Sequence, residues 1–437
     1  MRRRMSRGAV PQSAATAVPA GPQPALMAAP PAPQPGRLVR WALYGFMFSL
    51  AFDAPGRLPI ELTTMTGALL LLAALTQPRL CFGRRPAAFW WFLGYLYVYW
   101  LAFVVSGARH AGDAVRSFLF AFQALLIFLV AFNLMRFEAV ARRAWKALVI
   151  AAVILAAMTV LGIMTKVGIG SQRVTVFGQN PNRAGVLLAI GLLATIGLSY
   201  GPSHTIRRRW LAWPGAALIG MAMIQGGSRG SLIAMAVGLW IFSFYGRSFG
   251  IKVRNAAIAI LALTFIGWLA LQSPVMQHRI EQAQAGDLAG RQNIFPAAWH
   301  MFTDRPVIGW GPDNQYVLAV RLRLPPALWA SRDTHNLVLE VLTGTGVAGT
   351  IPVFLGFWLC FWAAWRARAG PEGILPLAML VAMLVADMSG NYIVLKLQWA
   401  ILAYAAASGS RVKELRAWSA MVATAQRFPR SMRRSRT

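Results

Sequence analysis

Between residues 37 and 408 the chain alternates apolar runs, each about twenty residues long, with short connectors, and this pattern leaves few folds open. A bilayer core is crossed by about 20 apolar helical residues, and inside it every backbone polar group must be satisfied within the protein. The expected crossings lie near 38–54, 58–76, 87–105, 115–134, 146–164, 182–199, 211–226, 229–245, 254–272, 335–365, 373–388 and 393–408, twelve in all. A single long polar stretch interrupts them. The expected organisation is therefore a disordered tail over 1–36, helices 1–9 over 37–272, a loop with short amphipathic helices over 273–334, helices 10–12 over 335–408, and a basic tail over 409–437. This is an all-α polytopic membrane protein.

The net charge of +30 needs a cause. In a soluble protein it would suggest nucleic acid, but cytoplasmic loops of membrane proteins collect Lys and Arg. With a cytoplasmic N-terminus, the two tails and the connectors holding Arg79, Arg136, Arg207, Arg247 and Arg366 carry 29 of the 43 basic residues. Both ends are then cytoplasmic, the 273–334 loop lies on the other side, and nucleic-acid binding has no motive. The tail opens Arg2-Arg3-Arg4 and continues as an Ala/Pro/Gln tract without an apolar core, so it reads as neither a signal nor a span.

Fourteen basic residues remain on the side where topology disfavours them. Two stand at helix starts, and a histidine stands at a third. Arg183 follows Gly178-Gln179-Asn180-Pro181-Asn182, Arg229 follows Gln225-Gly226-Gly227-Ser228, and His335 follows Ser331-Arg332-Asp333-Thr334. Each has a capping residue or Pro ahead of an apolar run, and helix N-termini favour phosphate. Arg183 is also explained by a turn whose Arg reaches headgroups, and His335 by a satisfied cap. Arg229, flanked by small residues at the start of a span, is costly to bury unless it faces a polar cavity.

Within the loop, Phe295, Trp299 and Phe302 share one helical face, suited either to the membrane interface or to a small core of the loop itself. The run from Asp304 to Asn314 is rich in turn formers. The five histidines (His110, His204, His278, His300 and His335) are dispersed, and Cys81 and Cys360 are isolated, so no metal spacing or disulfide framework is expected. No Walker, Rossmann or nucleophile-elbow motif is present in context.

Taken together, Ser228-Arg229-Gly230-Ser231, Gly290-Arg291 with its aromatic segment, Asp304-Arg305-Pro306-Val307-Ile308-Gly309-Trp310-Gly311, and Thr334-His335-Asn336 with Glu340 and Gly346-Val347-Ala348-Gly349 resemble the O-antigen ligase and polymerase family over roughly residues 175–365. The resemblance implies a GT-C-like glycosyltransferase of the bacterial inner membrane, with its active site at the periplasmic face. The implied donor is a glycan on undecaprenyl diphosphate; the acceptor is a sugar hydroxyl of the lipid A core for a ligase, or another glycan repeat for a polymerase. No cofactor or metal is implied, membrane lipids are the surroundings, and a monomer is expected. By resemblance Arg229, Arg291 and His335 are the catalytic residues. Arg229 and Arg291, with Arg183 as a third, would bind the diphosphate, because fixed cations stabilise a leaving group whose charge grows. His335 would receive or orient the acceptor hydroxyl's proton. Asn180, Asn182, Ser228, Asp333, Asn336 and Glu340 are expected in support, Asp333 or Glu340 by orienting the ring. A transporter or flippase is the reading from another class; paired repeats and midplane helix breaks would mark it, whereas here the polar residues gather at one face.

Overall fold

The computed structural model describes residues 34–53, 61–106, 111–167, 173–200, 210, 212–246, 248–286, 290–325 and 333–434. Contacts divide the chain into Met1–Gln34 and Pro35–Thr437, and every element below belongs to the second unit. Residues 1–33 of the expected tail, His110, His204, Arg207 and the Ser331-Arg332 start of the motif ahead of His335 lie outside the described residues.

The helices in chain order are α1 (Arg37–Ser49), α2 (Leu62–Ala74), α3 (Pro78–Cys81), α4 (Ala87–Ser106), α5 (Ala111–Met135), α6 (Glu138–Val160), α7 (Pro181–Tyr200), α8 (Ala212–Gly226), α9 (Arg229–Ser243) and α10 (Phe249–Gln272). They continue as α11 (Pro274–Gln284), α12 (Arg291–Asp304), α13 (Asn314–Arg321), α14 (Leu337–Ala367), α15 (Leu375–Asp387) and α16 (Lys396–Arg434). One antiparallel hairpin, β1 (Thr165–Val167) with β2 (Val174–Val176), pairs Thr165 with Val176 between α6 and α7. A helix occupies each of the twelve apolar segments. Among the described residues, α4, α5, α6, α7, α10 and α14 are long and apolar enough to cross a membrane, whereas α2, α9 and α15 are apolar but shorter. Apart from this hairpin the regular structure of the described residues is helical, that of a polytopic membrane protein.

Helix α7 lies inside the bundle, with most of its apolar window buried, while α10 exposes nearly all of its own. Edge-to-face contacts of Phe92 with Phe128 (5.3 Å), Trp399 (5.1 Å) and Phe357 (5.7 Å) knit α4, α5, α14 and α16 together. The basic connectors converge on α16: Arg136 donates to Glu414 at 2.8 Å, Arg84 pairs with the same carboxylate, and buried Arg411 pairs with buried Glu372. These contacts sit toward the far end of α14 from His335, roughly 45 Å along its 31 residues at about 1.5 Å each.

Helix α14 is broken. Gly346 has φ 58° and ψ −161°, so carbonyls and amides on either side lose their helical partners. The loop after α12 supplies replacements: Trp310 N–H donates to Thr343 O (2.8 Å), Val347 N–H to Pro306 O (2.8 Å) and Ala348 N–H to Val307 O (3.0 Å). In an apolar helix without water such substitution is what makes a break tolerable. Two motifs quoted separately from the sequence, Pro306–Gly311 and Gly346–Gly349, are thus one interlocked unit. Glycine is required on both sides of the lock: Gly309 has φ 74° and a Cβ there would fall 2.6 Å from Thr343 O, while a Cβ on Gly346 would fall 2.3 Å from Val307 O. Glu340 adds a second fastening, its Oε1 accepting from Asn314 Nδ2 (2.9 Å) and its Oε2 from the backbone and hydroxyl of Thr334 (both 3.0 Å).

The buried stripe of α12 is Ile294, Ala298 and Met301, packed on Leu318 of α13, with Phe295 at its margin. Trp299 is half exposed, so the core of the loop uses the aliphatic stripe beside the aromatic one. Of the two settings expected for the aromatic residues, Phe295 takes the loop core and Trp299 the surface.

The lock makes a prediction. Gly346→Ala or Gly309→Ala should destabilise the protein by on the order of 3 kcal/mol or more, through left-handed backbone strain together with backbone overlap. Thermal unfolding in detergent, with limited proteolysis of the 290–325 segment, measures it.

Candidate functional site

A cavity of about 160 Å³ is lined by Arg173, Arg229, Arg279, Arg291, His335 and Ser389, together with Asn182 and Ser228. Four helix N-termini deliver Asn182, Ser228, Arg229, Arg291 and His335, while Arg279 comes from the middle of α11 and Ser389 from the turn after α15. Asn182 is in the first turn of α7, Ser228 is the N-cap of α9 and Arg229 its first residue, Arg291 opens α12, and His335 lies just before α14, whose N-cap Asn336 accepts from Leu339 N–H at 3.1 Å. Each start turns unpaired N–H groups and positive dipole charge outward. The local sequence explains the starts: Asn180 Oδ1 accepts from Asn182 N–H (2.9 Å) ahead of Pro181, and Gly226-Gly227-Ser228 breaks α8 from α9.

Each arginine donates to a neutral group. Arg173, just before β2, donates from Nε to Gly226 O and from Nη2 to Asn182 Oδ1, both at 2.8 Å. Arg229 donates to Arg279 O at 3.0 Å, Arg279 to Gln282 Oε1 at 2.8 Å, and Arg291 to Ser389 O at 2.6 Å. The buried Nε of Arg291 has no hydrogen-bond partner among the described residues. No carboxylate lines the cavity among the described residues, and Arg173, Arg229 and Arg291 act on one another as like charges. Burial, then repulsion from Arg279 and Arg229, pulls Arg173 down to about 10. Burial and the charge of Arg229 likewise lower Arg291. Such a cluster accepts a multivalent anion.

His335 is held in the left-handed region, φ 51°, a conformation uncommon for a side chain with a Cβ. Asp333 fixes it there, its Oδ1 accepting from His335 N–H (3.0 Å) and pairing with ring Nδ1 (2.6 Å). With Nδ1 turned to a carboxylate, a neutral ring carries its lone pair on Nε2. Burial pushes the Asp333 carboxyl up, but the hydrogen bonds and charge of His335 outweigh it and hold the group below the usual carboxylate range. Chemically, such a dyad can act as a base with its orienting carboxylate, beside a cationic cavity.

The structure brings Arg229, Arg291, His335, Asn182 and Ser228 to one cavity, with Asp333 behind the ring. Arg183, expected as a third diphosphate contact, instead lines a neighbouring cavity of about 40 Å³ with Asp53, Thr63, Gln179 and Lys396, because one residue's rotation along α7 turns it away from Asn182. From there its charge still helps hold Asp333 ionised. Asn180 serves as a capping residue, and Asn336 caps α14 while donating to Met388 O at 3.3 Å. Glu340 does not orient the ring: both of its oxygens are taken up fastening the loop. Arg173 and Arg279 were missed by sequence reasoning. Their signal was present, since both belong to the fourteen cations that positive-inside bias leaves unexplained.

Arg173 makes the cost of this arrangement testable. Its folded value lies below that of a free arginine, so at neutral pH its charge opposes folding, a cost complete below about pH 10 and relieved only as pH rises above it. Arg173→Gln should therefore melt no lower than wild type without ligand, yet bind inorganic pyrophosphate ~10-fold or more weakly. Thermal-shift titrations at pH 7 measure both.

A family model described as O-antigen ligase matches residues 214–354, which hold Arg229, Arg279, Arg291 and His335. No curated protein matches the chain.

Proposed function

We propose, from the match of residues 214–354 to a family model described as O-antigen ligase, that the chain moves an O-antigen glycan from a lipid diphosphate, undecaprenyl diphosphate in bacteria, to a sugar hydroxyl of the lipid A core. That match supports reading the protein as a membrane glycosyl-transfer enzyme of the ligase and polymerase type. The observation that carries the finer reading is the cavity itself: four guanidiniums and four helix N-termini face a His–Asp dyad, with no carboxylate among the described lining residues.

The reaction follows from those groups. The acceptor hydroxyl oxygen attacks the anomeric carbon of the donor sugar as the bond from that carbon to the diphosphate oxygen breaks. The electron pair of that bond leaves with the diphosphate, whose growing charge is met by Arg229, Arg291, Arg173 and Arg279. The hydroxyl proton passes to Nε2 of His335, and the Asp333 carboxylate stabilises the resulting imidazolium. Attack opposite the leaving group inverts the anomeric centre. In this reading the cavity opens at the periplasmic face, both termini are cytoplasmic, and the 273–334 segment is the periplasmic loop. The opposite clustering of Glu414 with Arg84 and Arg136 at the far end of α14 supports that orientation.

In liposomes supplied with lipid-diphosphate glycan and lipid A-core, Arg229→Ala and Arg291→Ala should each lose on the order of 10²–10³ in turnover. His335→Ala should lose about 10²–10⁴, and Asp333→Asn about 10–100-fold. Correctly folded variants that retain full transfer overturn the assignment. Cells lacking the gene should accumulate lipid-linked polymer; accumulation of single repeats on the carrier would make the enzyme a polymerase.

A further inference from the structure

The turn between α15 and α16, residues 388–395, is absent from every motif singled out in the sequence, yet it touches three of the helix starts that build the cavity. Ser389 O accepts from Arg291 Nη2 at 2.6 Å, and Met388 O accepts from Asn336 Nδ2, next to His335, at 3.3 Å. On the third side Gly230, next to Arg229, lies so close that a Cβ there would fall 2.0 Å from Ser389 Oγ and 2.9 Å from its Cβ. The turn is itself pinned. Asp387, fully buried at the end of α15, accepts from Tyr392 N–H at 3.3 Å, Ser389 Oγ donates to Ala386 O at 3.1 Å, and Trp399 Nε1 donates to Ile393 O at 2.7 Å.

We propose that the 388–395 turn is the positioning element of the site: it clamps Arg291 against the wall shared by Arg229 and His335 and thereby sets affinity for the diphosphate. Arg291 arrives on the 273–334 insertion, on a long side chain repelled by Arg229. A carboxylate partner would hold it but would spend the charge that the leaving group needs. A backbone carbonyl restrains the guanidinium and leaves its charge available. Ser389 serves because Gly230 allows α9 to approach it, and the carbonyl points at Arg291 because Asp387 fixes the turn. Asp387 and Ser389 act through Arg291, so they are positioning residues. The inference rests on the reading of the cavity as a diphosphate site.

Binding of farnesyl diphosphate to the full-length protein in detergent, followed by calorimetry, tests it without requiring transfer. Gly230→Ala should weaken binding about 10-fold by pushing Ser389 and its carbonyl off Arg291, with the melting temperature within about 2 °C of wild type. Adding Ser389→Gly, which empties the space that the new methyl group enters, should restore affinity to within about threefold. Asp387→Asn keeps the acceptor for Tyr392 N–H and should stay within about threefold of wild type, whereas Asp387→Ala should lose about 10-fold. Unchanged affinity in Gly230→Ala and Asp387→Ala overturns the role of the turn while leaving the diphosphate reading intact. Loss of affinity in Gly230→Ala that Ser389→Gly does not restore also overturns it. Wild-type protein that does not bind farnesyl diphosphate overturns the reading of the cavity and the proposal with it.

Discussion

A helix that crosses an apolar medium cannot be interrupted unless something else satisfies the backbone groups set free, because each one buried alone costs on the order of 1–3 kcal/mol. At Gly346 that something is the backbone of Pro306, Val307 and Trp310. The rest of the site hangs on this substitution. It fastens the polar insertion to α14 at one defined register, so that α12 carries Arg291 to the cavity edge. Glu340 repeats the logic a turn and a half earlier, tying Asn314 and Thr334 to the same helix and leaving His335 in its left-handed turn between two fixed points.

Against that rigid frame the cavity is electrostatically frustrated. Arg173 and Arg291 are partly buried beside like charges and are restrained by carbonyls and amides in place of carboxylates. In the proposed reaction this cost would place cations in position before the leaving diphosphate gains its charge, which is the general basis of electrostatic preorganisation. Asp333 marks the boundary of the strategy. It is close enough to hold the His335 ring, and it lies behind that ring, outside the set of residues that lines the cavity.

Much of this was legible in the sequence. Apolar run length placed helices in the twelve segments, and capping residues ahead of Arg229 and His335 marked two of the starts that converge. Arg183 lines a different cavity from Arg229 because neighbouring positions on a helix point about 100° apart, so Asn182 reaches the four-arginine cavity and Arg183 does not. Arg173 and Arg279 were unexplained charges without a motif, and only the fold shows that they share a cavity with Arg229. The lock between Gly309 and Gly346 joins backbone atoms 37 positions apart, and backbone hydrogen bonds leave little trace in side-chain patterns. The 388–395 turn was invisible for the same reason: two of its contributions are carbonyl groups, which every residue has.

The central claim is that the four-arginine cavity holds the donor's diphosphate with its anomeric carbon toward His335 Nε2. The most direct measurement is a cryo-EM structure of the full-length protein with an undecaprenyl diphosphate-linked sugar. Both phosphates lying among Arg173, Arg229, Arg279 and Arg291, with the sugar beside His335, is the predicted result. A head group seated elsewhere, such as the neighbouring cavity of Asp53, Arg183 and Lys396, would contradict it.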